Sequence, residues 1–332
     1  MDTKILTETV SKLIAKPKGI LAIDESISTC DARFEKLGIP TTIEKRQEYR
    51  ELLVTTPEIE KYVSGFITFD ETIKQSTKNG TPFHQVLKEK GILVGIKVDQ
   101  GLKDFPDSPI EKMTIGLEGL TERLKEYKNL GASFAKWREA ITIGDGLPTE
   151  ACLITNAQSL AKYAKLCQEE NIVPMVEPEV LIDGKHSIEQ CLEITAYNLD
   201  ILFTELKKEN VFIPGTILKT SMVLAGKDHF PQSQVGEVAE QTLKCLKEHV
   251  PLDIGGIVFL SGGQDDETSV LHLNAMHQTG ELPWPLTFSY GRAIQNDTLV
   301  SFAKNPEDVT TAQTLLLKNA EKCSLASVGQ YK

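Results

Sequence analysis

Eight short apolar runs recur along this chain, each rich in β-branched or aromatic residues and each ending on a polar or charged one. They are GILAIDES (19–26), VSGFITFDET (63–72), ILVGIKVD (92–99), SFAKWR (133–138), IVPMVEPE (172–179), GTILKT (215–220), GGIVFLSGG (255–263) and PLTFSYGR (285–292). Neighbouring runs start roughly 30 to 45 residues apart, which leaves room for one helix and its loops. Helical patterns such as NAQSLAKYAKLCQEEN (156–171) and QVGEVAEQTLKCLKEHV (234–250) fill that room. Strand and helix alternating in this way imply a parallel sheet covered by helices. Eight repeats favour an α/β chain closed as a (β/α)8 TIM barrel over an open doubly wound sheet. The chain has no G-x-G-x-x-G after the first run and no G-x-x-x-x-G-K-[ST], so both common nucleotide fingerprints are missing.

No Pro/Gly/Ser-rich linker divides the sequence, and residues 1–332 read as a single barrel domain. Two helices are expected beyond the eight units. One is the amphipathic N-terminal stretch before the first run, and the other is EDVTTAQTLLLKNAEKC (307–323) after the last. The formal net charge of −11 argues against nucleic-acid and anionic-membrane partners, but leaves room for a local basic cluster and an anionic small substrate. No apolar run approaches the ~18 residues of a membrane span, and the N-terminus has no secretory pattern. The six cysteines are scattered without a C-x-x-C pair, as expected of reduced, mostly buried thiols in a cytoplasmic protein.

In a barrel of this kind the active site lies at the C-terminal ends of the strands. Residues two apart on a strand share a face. That rule aims Lys97 with Asp99, Lys136 with Arg138, and Glu177 with Glu179. If those faces point inward, one mouth collects Asp24, Lys97, Lys136, Arg138, Glu177, Glu179 and Lys219. A single charge at a strand end is ordinarily solvated or paired. So many from several strands at one end would cost stability without serving it.

The stretch GTILKTSM poses the question most sharply, because an apolar strand there ends in Lys219. An ammonium neighbour favours the neutral form of an adjacent lysine, and a neutral amine can attack a carbonyl to form a Schiff base. Nearby carboxylates would move the protons. Spacing alone does not choose among Lys97, Lys136 and Lys219, although Lys219 has the most apolar strand behind it.

Ser261, Gly262 and Gly263 end the seventh run, while Ser289, Gly291 and Arg292 lie where a helix should begin after the eighth. Glycines let backbone N–H groups approach an anion, and a helix N-terminus favours it. Loops after the last two strands are the frequent phosphate site of this fold. Lys97, Arg138 and Arg33 could hold a second anion across the mouth. The six histidines form neither H-E-x-x-H nor H-x-H, so no metal is expected.

GILAIDES, VGIKVDQG, FAKWR, IVPMVEPEVL, GTILKTSMV, VFLSGGQ and LTFSYGRA together resemble, in order and spacing, class I fructose-1,6-bisphosphate aldolase, from about residue 5 to the end. The resemblance implies reversible cleavage of fructose 1,6-bisphosphate to dihydroxyacetone phosphate and glyceraldehyde 3-phosphate, without metal or other cofactor. By motif, Lys219 matches the Schiff-base lysine and Glu177 the acid/base of imine formation. Asp24 matches the carboxylate that takes the C4 hydroxyl proton, and Lys136 the second active-site lysine. Glu179 matches the residue that holds that cationic group in place. Ser261, Gly262, Gly291 and Arg292 match the C1-phosphate site, and Ser26, Lys97, Arg138 and Arg33 the C6-phosphate region. A homotetramer is expected on the same ground.

Three departures stand out. Ala32 occupies the position of a family lysine, with Thr29 still offering a hydroxyl. Asp70 stands where a histidine is common. The family's tail tyrosine has no counterpart by pattern, and Tyr331 is the one nearby tyrosine that could substitute. Two other readings compete. One is a Schiff-base lyase preferring fructose 1-phosphate or sedoheptulose 1,7-bisphosphate, and the other a barrel kept only as a binding scaffold.

Overall fold

The eight apolar runs are the eight staves of one closed barrel. The computed structural model describes residues 1–332. Its strands, in chain order, are β1 (Gly19–Ala22), β2 (Val63–Thr68), β3 (Leu93–Lys97), β4 (Leu102–Phe105), β5 (Ser108–Thr114), β6 (Ala132–Ile141), β7 (Val173–Val180), β8 (Ile217–Thr220), β9 (Gly256–Phe259) and β10 (Leu286–Tyr290). All but β4 and β5 pair in parallel around the barrel, and β10 returns to β1. The helices are α1 (Thr3–Leu13), α2 (Ile27–Glu35), α3 (Ile43–Thr55), α4 (Asp70–Ile73), α5 (Phe83–Glu89), α6 (Leu120–Asn129), α7 (Glu150–Glu169), α8 (Ile188–Lys208), α9 (Val235–His249), α10 (Asp266–Gln278), α11 (Arg292–Lys304) and α12 (Val309–Ala326). None is long and apolar enough to cross a membrane. The expected extra helices are α1 and α12.

Local chemistry starts these helices where the sequence turns polar. The Thr149 hydroxyl accepts from the Cys152 N–H to open α7, and Ser187 with Gln190 forms a capping box at the head of α8. Ser26 caps α2 through the Thr29 N–H, which ties the mouth-side loop of β1 to the helix that follows it.

The strand side chains divide by parity. On β6, Ala135 and Trp137 belong to the large core between barrel and helices, where the Trp137 ring lies 5.5 Å from Tyr163 of α7. Phe134 instead enters a smaller cluster inside the barrel, with Ile20, Ile67, Val173, Met175, Ile217 and Val258. Leu6, Val10, Leu13 and Ile14, at the α1 end of the chain, close that cluster from below. Burying each such side chain contributes roughly 1.5–3 kcal/mol. Glycine makes room for the plug, since a Cβ on Gly95 would lie 2.2 Å from the Phe134 ring.

The β4–β5 hairpin was not anticipated. It is antiparallel, stands outside the barrel and buries only Glu111 and Thr114, both polar, so it shows no apolar alternation to read. It is anchored by Glu111, whose buried carboxylate accepts from the Thr149 N–H at 2.7 Å and the Thr149 hydroxyl at 2.8 Å.

Candidate active site

Parallel register sets the charged residues side by side at the C-terminal end of the barrel. Lys97 of β3 is level with Lys136 of β6, and Arg138 of β6 with Glu177 of β7. At the centre, Lys136 Nζ lies 2.7 Å from Asp24 Oδ2 and 3.0 Å from Glu177 Oε2. The other Glu177 oxygen is 3.1 Å from Lys219 Nζ. Glu177 therefore bridges two ammonium groups, and all four side chains are nearly cut off from solvent.

The charges are not equivalent. Burial would raise the Asp24 carboxyl, but the ammonium groups of Lys136 and Lys219 outweigh it and hold Asp24 down to about 2. Burial likewise works against ionised Glu177, and the same two lysines keep it below the usual carboxylate range. Lys136 shows the converse. Desolvation disfavours its ammonium, yet Asp24 and Glu177 hold it well above the ordinary lysine value. Lys136 is thus locked as a cation that keeps two carboxylates ionised beside Lys219.

A second tier surrounds this centre. Arg138 is paired with Glu179, and Lys97 with Asp99, whose second oxygen accepts from the Arg138 N–H at 3.3 Å. Ser26, Thr29, Lys97, Lys136 and Arg138 line a cavity of about 700 Å³ on the β1–β3 side. Lys219, Glu177 and Glu179 line an adjoining one of about 640 Å³, together with Ser261, Gly262, Ser289, Gly291 and Arg292. Asp24, Thr29, Lys136 and Arg138 face both, so the two cavities are one mouth. Gly262 takes φ +59°, a left-handed turn that favours glycine, and Gly291 is the N-cap of α11. The Ser289 hydroxyl is buried in this cavity and has no hydrogen-bond partner.

Every predicted site residue reaches the mouth, with one regrouping. Arg33 faces the cavity of Lys219 and Arg292, not that of Ser26 and Lys97, because its pairing with Glu25 turns it toward α11. Glu25 also receives Arg50 of α3 at 2.8 Å, and Gln295 of α11 donates to it at 3.3 Å. Sequence reasoning overlooked Arg50, which is buried within a helix that carries no motif. Asp70 is already occupied, accepting from the Tyr127 hydroxyl at 2.8 Å and pairing with Lys74 at 2.7 Å. Tyr331 lies along α10, bonded to Asn274 and Glu267, and lines neither cavity of the mouth.

A family model described as fructose-bisphosphate aldolase class-I matches residues 5–332. A protein of Xanthomonas campestris pv. campestris, described as a probable fructose-bisphosphate aldolase class 1, is 51% identical over 100% of both chains. The chain belongs to the class I fructose-bisphosphate aldolases. A fructose-bisphosphate aldolase of Plasmodium falciparum is 43% identical across 98% of this chain and 89% of its own. A solved structure of that organism's aldolase, in complex with TRAP and a small-molecule inhibitor, superposes with a TM-score of 0.97 over 99% of this chain and 95% of that one. Membership brings the activity of a carbon–carbon lyase working through a Schiff base without a metal. Its substrate is a phosphorylated sugar, fructose 1,6-bisphosphate, cleaved reversibly in glycolysis and gluconeogenesis. The scaffold-only reading is set aside by the same findings.

Proposed function

We propose that Lys219 is the amine that condenses with C2 of the ketose, and that Glu177, Lys136 and Asp24 carry the protons and charge around it. The supporting observation is the unbroken chain Lys219–Glu177–Lys136–Asp24, each link 3.1 Å or shorter and shielded from water. In this reading the Lys219 nitrogen bonds to C2, and Glu177 returns a proton to the carbinolamine oxygen, which departs as water. Asp24, kept ionised, accepts the C4 hydroxyl proton as the C3–C4 bond breaks, and the bonding pair flows into the iminium to give an enamine. The aldehyde product leaves, the enamine is protonated at C3, and water releases the ketone and Lys219. Lys136 offsets negative charge on both carboxylates throughout.

The phosphate contacts follow the same reading. The Gly262 and Gly291 turns with Ser261, Ser289 and Arg292 take the C1 phosphate, while Ser26, Thr29, Lys97 and Arg138, with Arg33 at the boundary, take the C6 phosphate. Glu179 holds Arg138 in place. The chain acts in the cytoplasm as a homotetramer, a reading that rests on family likeness and that light scattering tests.

Borohydride trapping tests the central assignment. The protein is incubated with fructose 1,6-bisphosphate or dihydroxyacetone phosphate, reduced and digested. Added mass on the peptide carrying GTILKTSM is the expected result. Mass on Lys97 or Lys136 would move the nucleophile, and no mass at all would overturn the Schiff-base assignment.

A further inference from the structure

Most cations of the mouth are cancelled where they stand. Lys136 and Lys219 share Asp24 and Glu177, two charges against two, while Arg138 faces Glu179 and Lys97 faces Asp99 one to one. The group around Glu25 differs. Its carboxylate takes two arginines, Arg33 of α2 on Oε1 and Arg50 of α3 on Oε2, the latter at 2.8 Å. Two cations against one carboxylate leave a net positive charge, and no other ion-paired group lining the mouth has that excess.

Local geometry decides where this charge is felt. The Arg33 side chain is 17% exposed and lines the cavity of Lys219 and Arg292, whereas that of Arg50 is 3% exposed and lines neither cavity. Glu25 is clamped between them. Gln295 donates to it at 3.3 Å and to the Ala22 carbonyl at 2.6 Å, and the Tyr49 hydroxyl donates to Gln295 at 3.0 Å. The second guanidinium nitrogen of Arg33 lies 3.3 Å from Asn296 Oδ1. No carboxylate but Glu25 claims Arg33. Asp24 is taken by Lys136, Asp31 on α2 by Arg46 at 2.9 Å, and Asp266 accepts from Asn296 at 3.1 and 2.8 Å. The Cys30 thiol and the Tyr49 phenol beside the cluster are pushed up by burial and stay neutral.

Arg50 is an expensive way to hold a helix against a barrel. Its Nη1 is buried without a hydrogen-bond partner, and a desolvated, incompletely satisfied cation stabilises poorly. Charge balance gives it a use. We propose that Arg50 is a positioning residue for substrate phosphate: it neutralises Glu25 from the helix layer, so that the Arg33 charge stays uncompensated and available to an anion in the mouth. This rests on the reading of that mouth as a phosphate-binding site with Arg33 in it.

The experiment compares wild-type protein with Arg33→Met, Arg50→Met, Arg50→Lys and the double variant Glu25→Gln/Arg50→Met. KM and kcat are measured for fructose 1,6-bisphosphate, with inorganic phosphate as a competing anion, and circular dichroism checks the fold. Arg50→Met should raise KM and the inhibition constant of phosphate about tenfold each, with kcat within about threefold. Its KM should also respond less to added salt than the wild-type KM. Arg50→Lys should keep most of the affinity. The double variant should restore it, since losing carboxylate and cation together leaves Arg33 charged and unpaired; a purely structural Arg50 predicts no such return. The double variant also reads the balance if Arg50→Met does not fold, and a tenfold rise in its KM overturns the proposal. So does an unchanged KM in Arg50→Met, or a fall in kcat alone. Arg33→Met separates the two levels. A higher KM in Arg33→Met with an unchanged one in Arg50→Met removes the Arg50 inference and leaves the phosphate reading standing. Unchanged KM and phosphate inhibition in both remove Arg33 from the phosphate site as well.

Discussion

The two ends of this barrel are built from the same strands and have opposite interiors. Toward the base, inward positions carry Ile20, Ile67, Phe134, Val173 and Ile217, sealed by Leu6, Val10 and Leu13 of α1. Toward the mouth, inward positions on β6 to β8 become Lys136, Glu177 and Lys219, and Asp24 joins them from the loop after β1. Phe134 and Lys136 stand two residues apart on one strand, so the change from apolar to ionic takes a single step. The base stabilises the fold by burying apolar surface, which is tolerant of small shifts. The mouth holds charges at a cost in desolvation that only close pairing offsets. One end supplies the rigidity that lets the other keep its geometry.

Substitutions at the two ends should therefore fail in different ways. The largest effect is expected for Lys219→Met, with cleavage of fructose 1,6-bisphosphate reduced at least about 10⁴-fold and borohydride labelling abolished, while circular dichroism shows the fold retained. Next is Lys136→Met, with kcat lowered about 10³-fold. It also removes the main counter-ion of Asp24. In the wild-type protein the depressed carboxyl stabilises the fold fully above about pH 4, and that contribution is lost as pH falls toward 2. In Lys136→Met the Asp24 value climbs, so the acid limbs of both the melting temperature and kcat/KM should move to higher pH. If neither limb moves, Lys136 is not what holds Asp24 ionised.

At the base, Leu6→Ala should cost about 2–5 kcal/mol in urea unfolding and leave kcat/KM of the folded protein within about twofold. A large loss of activity in folded protein would show that the two ends are coupled and break the division drawn here.

The smallest effect is expected at Glu139, on the helix-facing side of β6. Burial, with Asp99 adding to it, pushes this carboxyl well above the usual range, and one of its oxygens has no partner. A raised carboxyl destabilises the fold increasingly as pH rises above its unfolded value. Glu139→Gln should therefore raise the melting temperature, more at pH 8 than at pH 5. Equal melting at both would mean Glu139 ionises freely in the folded protein.

Much of this was legible because the strands are short and buried on both faces, so each is a continuous apolar run with a polar stop. The stop marks the mouth, and parity decides that Lys136 and Arg138 point inward while Trp137 does not. That rule uses only neighbours in sequence. It could not reveal Glu25 joined to Arg50, since a salt bridge between a strand end and a helix face leaves no periodic trace. It missed the β4–β5 hairpin for a related reason: a ribbon whose buried positions are the polar Glu111 and Thr114 has no hydrophobic alternation. Glu139 was missed although it breaks the pattern, being a carboxylate at a parity that faces the helix layer. Arg33 was read to the mouth, but which of its two cavities it lines was not legible, because its direction is set by Glu25 and Asn296 and not by its place on α2.

The plug at the base also orders events in time. The side chains of α1 are synthesised first, yet they pack against Ile217 and Val258, and β1 has its second neighbour only when Leu286–Tyr290 exists. At ordinary translation rates that interval is roughly 15 to 60 s. Throughout it the N-terminal segment has no completed surface to dock on, and the half-built sheet presents an open edge. Long-range closure of this kind makes for slow folding. Until its last strand is complete, the nascent chain therefore leaves the apolar face of α1 without its full partner surface and β1 with an unpaired edge.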